Sequence, residues 1–544
     1  MSANDIFSLK RPENEQIYGY EAGSQERKRI KAGLNALKEN PVEIPLIIDG
    51  KEVKTDNIRE IRAPHDHNLI LGKYHQAGKE EINRAIDTSL KAKEVWENTS
   101  WEKRASIFLK AATLLAGPKR TEINAATMLS QSKNVFQAEI DAACELIDFL
   151  RFNAYFMSEI YQIQPSSTPK ILNRIEYRPL EGFIFAVSPF NFTSIGGNLP
   201  TAPALMGNTV IWKPASAAVY SNYFFMKILM RAGLPDGVIN FIPGQGSKLG
   251  PMILKRPELA GVHFTGSVDT LNQMFKEVGA NIDRYNTYPR IVGETGGKDF
   301  VFAHKSADRD ELITALLRGA FEYQGQKCSA VSRSYISKLV WEDIREELVK
   351  KTENLKMGPV DDFTNFINAV IDENAFEKIK KYIEYAKRSD SAQVIAGGEC
   401  NKAEGYYITP TIILTNNPRF RTMTEEIFGP VLTIYIYDDK KYEEALSLCD
   451  QTSPYGLTGS IFAKDRKAVA FAEKTLKHAA GNFYINDKPT GAVVGQQPFG
   501  GSRKSGTNDK AGSQWNLMRW VSPRSIKENL NPPVKYMYPF MKEK

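Results

Sequence analysis

The chain has 544 residues, 42% of them hydrophobic and 25% charged, with a formal charge of +7. That is ordinary for a water-exposed globular protein of two to four domains, large enough to bury its core without metals or disulfides. The small surplus, set against 71 basic and 64 acidic side chains, leaves no nucleic-acid footprint, so nucleic acid is not an expected partner.

Four cysteines, Cys144, Cys328, Cys400 and Cys449, lie far apart with no CxxC pair. This argues against zinc modules and a disulfide framework, and for a reducing compartment, read as the cytoplasm. The N-terminus, MSANDIFSLKRPENEQ, lacks the apolar run of a secretory signal and does not read as a transit peptide.

In chain order, residues 1–40 carry a basic helical stretch, SQERKRIKAGLNALKEN, read as a solvated amphipathic extension. IPLIIDGKEV follows as a hairpin with Asp-Gly turn chemistry. HDH at 65–67 reads as an exposed loop, with a weak metal site as the other reading; no metal centre is expected. Long helical patterns fill 79–160 until QPSSTPK breaks them.

From Gly182 to Trp212 the chain runs 31 residues without a charge. A bilayer span needs only about 20 apolar residues, but Pro189, Pro200, Pro203 and several Gly and Asn residues interrupt the run. A buried, ligand-lining loop between two core strands is expected, and no membrane.

Between 176 and 300, the apolar runs EGFIFAVSP, NTVIWKP, GVINFIPG and GVHFTG alternate with helical patterns such as SNYFFMKILMRAG and DTLNQMFKEVGAN. Such alternation specifies a doubly wound parallel α/β sheet. Its ligand belongs at the carboxyl ends of the strands, here Ser188 to Asn191, Lys213 to Ser216, Gly244 to Gly246 and Thr265 to Ser267. PGQGSKLG gives GxGxxxG, one residue longer than the dinucleotide fingerprint. A second alternating unit runs from about 299 to 485, beginning just after VGETGGK. The Pro- and Lys-rich tail from 520 reads as a strand or arm that packs on something else.

Two residues raise chemical questions. Cys328, in FEYQGQKCSA, could be a packed thiol or a nucleophile; Lys327 beside it would lower the thiol pKa if it pointed inward, and otherwise points to solvent. Glu294 ends the run RIVGE before two glycines. It reads equally as a turn cap or as a general base pushed toward neutral pKa by apolar surroundings.

The ordered set SPFNF (188–192), WKPAS (212–216), FTGS (264–267), GETGGK (293–298), GQKCS (325–329), EEIFGPV (425–431) and PFGGSRKSG (498–506) resembles the aldehyde dehydrogenase superfamily. The resemblance implies two doubly wound open-sheet α/β domains, one Rossmann-like for the cofactor and one catalytic, plus a small oligomerisation β-arm. The implied divisions are an N-terminal helical extension (1–40), an NAD-binding domain (41–294, with 160–178 in the arm), a catalytic domain (295–489) and an anchor loop with C-terminal arm (490–544).

Cys328 would attack an aldehyde carbon, Asn191 and the Cys328 N–H would hold the oxyanion, and Glu294 would activate water against the resulting thioester. For NAD, the resemblance implies Ser188, Lys213, Ser216, Gly246, Gly266, Ser267, Val268, Glu426 and Phe428. Ser216 stands where many NAD-preferring relatives carry Glu, so one source of repulsion against a 2′-phosphate is absent.

Longer matches, SPFNFTSIGGNLPTAPALMGNTVIWKPA and GAVVGQQPFGGSRKSGTNDKAG, resemble the branch that oxidises L-glutamate γ-semialdehyde, the open form of pyrroline-5-carboxylate, to L-glutamate in proline catabolism. That resemblance implies Ser329, Gly501 and Ser502 at the substrate carboxylate, with Phe192 and Phe499 around its aliphatic carbons. It also implies a homo-oligomer and a transient contact with a proline dehydrogenase. The alternatives are another short acidic aldehyde, such as succinate semialdehyde, or a catalytically silent binding homologue.

Overall fold

The structure is a computed structural model and describes residues 8–542. Its first sheet is built from β1 (Leu46–Ile48), β2 (Lys51–Val53), β3 (Phe183–Val187), β4 (Thr209–Lys213), β5 (Ile239–Phe241), β6 (Leu259–Gly266) and β7 (Arg290–Thr295), in the order β7-β6-β3-β4-β5-β1-β2. The five strands from β7 to β5 are parallel, and the hairpin β1–β2 extends them antiparallel. Asp49 and Gly50 both turn left-handed, with φ of 57° and 68°. This is the twist-matching turn that Asp-Gly favours.

The second sheet contains β8 (Asp299–Ala303), β9 (Val331–Ser337), β10 (Ala392–Ala396), β11 (Thr411–Thr415), β12 (Val431–Tyr437), β13 (Thr458–Phe462) and β14 (Asn482–Ile485), ordered β10-β11-β12-β9-β8-β13-β14. Here β10 alone pairs antiparallel among the described strands. Both sheets carry helices on their faces, so β4 and β8 are buried along their whole length. Central strands buried on two faces read as continuous apolar runs, which is how FVF and TVIW appear in the sequence.

The uncharged stretch departs from expectation. It contains a helix, Thr193–Leu205, where a loop was expected, and Pro200 and Pro203 lie inside it. A proline inside a helix leaves the carbonyl four residues earlier without its donor. For Pro203 that carbonyl is Leu199 O, and the Nδ1–H of His263 on β6 donates to it at 2.8 Å. The neighbouring strand thus supplies the hydrogen bond that the proline cannot.

The 79–160 region is helical as expected, but Glu139–Glu145 forms a π-turn between the segments Val135–Ala138 and Leu146–Tyr161. π-turns are rare and concentrate at functional sites. His65, expected in an exposed loop, is 4% exposed. It packs under Gly405, where an added Cβ would come within 2.6 Å of His65 backbone atoms. Among the described residues no three His, Cys, Asp or Glu side chains converge as a metal site, and no helix is long and apolar enough to cross a membrane.

The N-terminal helix runs Gln25–Glu39, capped by Ser24 and burying Ile30 and Leu34. Residues 1–7 of the extension lie outside the described residues. At the other end, Val521–Asn529 pairs antiparallel with Ile171–Pro179 over nine residue pairs, forming a two-stranded ribbon. Along Ile171–Pro179 exposed and half-buried positions alternate, and none is buried.

Candidate active site

A cavity of about 850 Å³ opens at the carboxyl ends of β3, β4, β6 and β7, where a doubly wound sheet leaves a crevice. It brings together Ser188, Asn191, Lys213, Gly246, Gly266, Ser267, Glu294, Cys328, Glu426 and Phe428. Ser216 and Val268 flank lining residues and do not line the cavity themselves.

Cys328 sits on a strained loop. After the helix Arg309–Phe321, Tyr323, Gln324 and Gly325 turn left-handed in succession, with φ of 51°, 56° and 65°. Non-glycine residues held this way cost on the order of 1–3 kcal/mol each and persist only where the surroundings over-determine them. Here two glutamines do so. Gln324 Nε2 donates to Ser132 O and Ala369 O at 2.8 and 2.7 Å. Gln324 Oε1 accepts from Asn368 N, and Gln326 Oε1 from Ile371 N at 2.9 Å. At Gly325 a Cβ would lie 2.2 Å from Gly429 O, so only glycine fits.

Lys327 corrects both sequence readings. It is buried rather than turned to solvent, its Nζ pairs with Glu322 Oε2 at 3.0 Å, and the charges that act on the sulfur are carboxylates. Burial pushes the Cys328 thiol well up, and the carboxylates of Asp299, Glu294, Glu426 and Glu145 push it further. Asn191, 4% exposed, aims its amide at the same loop, donating to Gln326 O at 3.1 Å.

Glu294 lies near the end of β7, where Thr507 and Ser505 clamp the strand. Gly293 N donates to Thr507 Oγ1 at 2.9 Å, and Thr295 N to Ser505 O at 3.0 Å. The residue keeps some exposure to the cavity, yet its carboxyl group is enclosed, and burial raises its pKa to about 8. The Lys510 ammonium and the Ala511 N–H oppose that rise, while Asp509 adds to it. An enclosed carboxyl close to neutral pKa fits a general base better than a turn cap.

The remaining lining fits a dinucleotide. Lys213 Nζ is buried with one hydrogen-bond acceptor, Pro214 O at 3.0 Å, leaving donors free for a ribose or phosphate. Two helices, Gly246–Leu254 and Val268–Ala280, present N-termini at the opening, an arrangement that favours phosphate. Gly297 N holds Glu426 Oε1 at 3.1 Å. A Cβ on Gly296 would overlap that carboxylate at 1.6 Å.

None of the five residues assigned to substrate lines this cavity. Ser329 and Thr490 share a hydroxyl hydrogen bond of 2.8 Å. Phe192 lies beneath Lys133 Nζ at 4.3 Å. Phe499 exchanges two backbone hydrogen bonds with Ala511. Gly501 packs on Gly456, whose carbonyl an added Cβ would meet at 2.6 Å, and Ser502 pairs with Gly456.

Three residues of this neighbourhood escape a sequence reading: Thr490, Lys510 and Glu145. Glu145 ends the π-turn, accepts from Ser194 Oγ at 2.9 Å, and is raised by burial and by Asp141 to about 8. Asp141 in turn accepts from Lys133 Nζ at 2.6 Å and from the first two N–H groups of Thr193–Leu205. The spacing of Asp141 and Glu145 matched helix periodicity, and nothing local marked them.

Residues 52–526 match the aldehyde dehydrogenase family. The delta-1-pyrroline-5-carboxylate dehydrogenase, mitochondrial, of Dictyostelium discoideum is 52% identical over 98% of this chain and 96% of its own. The Mus musculus protein of the same name is 49% identical over 97% and 94%. The NAD-bound crystal structure of the Delta-pyrroline-5-carboxylate dehydrogenase from Mycobacterium tuberculosis superposes with a TM-score of 0.96 at 50% identity, covering 99% of this chain and all of that one. With the match spanning nearly its whole length, the chain belongs to the aldehyde dehydrogenase family.

Proposed function

We infer that the protein oxidises L-glutamate γ-semialdehyde, the hydrolysed form of pyrroline-5-carboxylate, to L-glutamate with NAD. One observation carries the reading: a cysteine thiol, an enclosed carboxyl and an amide donor aimed at the thiol's loop converge on one cavity of about 850 Å³. The names of the relatives support the choice of aldehyde.

Lys213, Gly246, Gly266, Ser267, Glu426 and Phe428 hold the dinucleotide, with Ser188, Ser216 and Val268 beside them. When bound, it supplies the hydride acceptor. Cys328 Sγ bonds to the aldehyde carbon, its proton leaving to solvent, and the oxygen becomes an oxyanion held by Asn191 Nδ2 and the Cys328 N–H. Loss of hydride from that carbon re-forms a carbonyl as the Cys328 thioester. Glu294 takes a proton from water, the hydroxide adds to the thioester carbon, and the C–S bond breaks to give the acid and the thiolate, which is reprotonated.

Ser329, Gly501 and Ser502 bind the substrate carboxylate, while Phe192 and Phe499 enclose its methylenes. Residues 41–294 and 295–489 divide cofactor binding from nucleophile delivery, after the 1–40 extension. The 490–544 segment combines the anchor loop with an arm that joins copies of this chain through the ribbon. A proline dehydrogenase supplies the imine by transient contact. The compartment is a reducing one. The sequence reading is cytoplasmic, and the names of both curated relatives favour the mitochondrion where the cell has one.

The test is an NAD-reduction assay over a panel of aldehydes. The semialdehyde should give the highest kcat/KM; a clear preference for succinate semialdehyde would replace the substrate assignment.

A further inference from the structure

Lys510 lies on the segment that follows the anchor loop, and its backbone is held left-handed at φ 52°. A non-glycine residue in that region marks a position fixed by its surroundings. Three acceptors hold its half-buried side chain. Nζ donates to Gly481 O and Gly500 O, each at 2.8 Å, with Asn482 Oδ1 at 3.4 Å. Gly500 also lies beside the base, since a Cβ built there would lie 3.4 Å from Glu294 Oε1. The ammonium and the carboxylate therefore bracket one glycine of the loop that carries Phe499 and Gly501.

We propose that Lys510 is a positioning residue for hydrolysis: fastened to the anchor loop, its ammonium supplies the counter-charge under which the Glu294 carboxylate works as a base. The proposal rests on the assignment of Glu294 as the water-activating base. It also ties the two ends of the substrate together, because the carbonyl that fixes Lys510 belongs to the loop that holds the substrate carboxylate.

The charges facing Glu294 agree. Lys510 lowers its pKa, Asp509 on the same segment raises it, and the Ala511 N–H, which donates to Phe499 O, lowers it as well. Across the cavity Glu294 faces the Cys328 thiol. Glu145, Asp299 and Glu426 bear on that thiol, and no such influence on Glu294 accompanies them. Asp509 is itself paired with Arg519 at 3.2 Å.

The experiment follows the NADH burst and the steady rate from pH 6 to 10 in the full-length enzyme. Lys510→Met should keep the burst within about twofold, lower steady turnover about tenfold at pH 7, and move its acid limb up by about one pH unit. Lys510→Arg should keep the wild-type limb. Asp509→Asn should move it down, and this holds even if Lys510→Met fails to fold. A Lys510→Met enzyme with a raised KM for aldehyde and an unmoved limb has lost only loop structure, which overturns the proposal. So does a Lys510→Arg limb that shifts with the methionine variant, or an Asp509→Asn limb that does not fall. Undiminished steady turnover in Glu294→Gln overturns the base assignment itself, and this proposal with it, whatever the Lys510 variants do.

Discussion

Asn191 Nδ2 donates to Gln326 O at 3.1 Å, so the amide reaches the backbone two residues ahead of Cys328. Its position depends on the helix Thr193–Leu205 behind it and on the glutamine-locked turn in front. Removing a single oxyanion donor costs about 100- to 1000-fold in rate. Asn191→Ala should lose that much in kcat while still binding the dinucleotide; burst kinetics with NADH detection measure it, and a loss below about tenfold would remove Asn191 from the oxyanion site.

Glu294, as the proposed base, sets the expected pH dependence. Its carboxyl is raised to about 8, and only the ionised form takes a proton from water. Steady turnover should therefore climb as pH rises through about 8 and fall about tenfold per unit below it, while the burst follows another profile. Glu294→Gln should keep the first-turnover burst and lose continued turnover. Equal loss of both phases contradicts a role confined to hydrolysis.

Gly296 offers a test of the cofactor site that leaves the nucleophile alone. A methyl group there meets Glu426 Oε1 at 1.6 Å against a fixed backbone, so the carboxylate must move. Gly296→Ala should raise the KM for NAD about tenfold or more with little change in the KM for aldehyde. An unchanged KM for NAD would show that Glu426 does not hold the dinucleotide.

Lys327 and Glu322 form a buried pair, and cutting one partner leaves the other charge uncompensated at a cost of about 3–5 kcal/mol. Lys327→Met should lower Tm by several degrees without raising the pH needed for thiol alkylation. A large change in alkylation rate with Tm intact would restore Lys327 as a neighbour that tunes the sulfur.

The ribbon of Ile171–Pro179 and Val521–Asn529 is a two-stranded element, marginal in water on its own. If copies of this chain associate through the ribbon as proposed, truncation after residue 520 should leave a monomer, read by sedimentation. A truncated chain that sediments like the full one would move the subunit contact elsewhere.

Much of this architecture was legible in the sequence because its signals are local. FIFAV, TVIWK and DFVFA are apolar runs of strand length, and Asp49-Gly50 announces its turn. Part of the cavity lining, Ser188 to Asn191, Lys213, Gly246 and Thr265 to Ser267, followed from the rule that ligands sit past strand ends, while Cys328, Glu426 and Phe428 came from the resemblance. What escaped was long-range. The prolines of Thr193–Leu205 argued for a loop because the donor that satisfies Leu199 O arrives from His263, 64 residues away. His65 looked exposed because the segment around Gly405 that covers it is over 300 residues off. No local signal marked Lys510, whose side chain is fixed by Gly481 O and Gly500 O; Lys327, read toward the sulfur or solvent, pairs with Glu322 instead.

The π-turn at Glu139–Glu145 makes the helix one residue too long for its regular ladder. Each α-helical residue advances about 100° around the axis. Deleting one residue upstream of Glu145 would mend the ladder but swing everything after it by about that angle, or drag Asp141 away from Lys133 and Thr193. Either way the chain would lose the present placement of its acidic pair, Asp141 on Lys133 and Glu145 on Ser194.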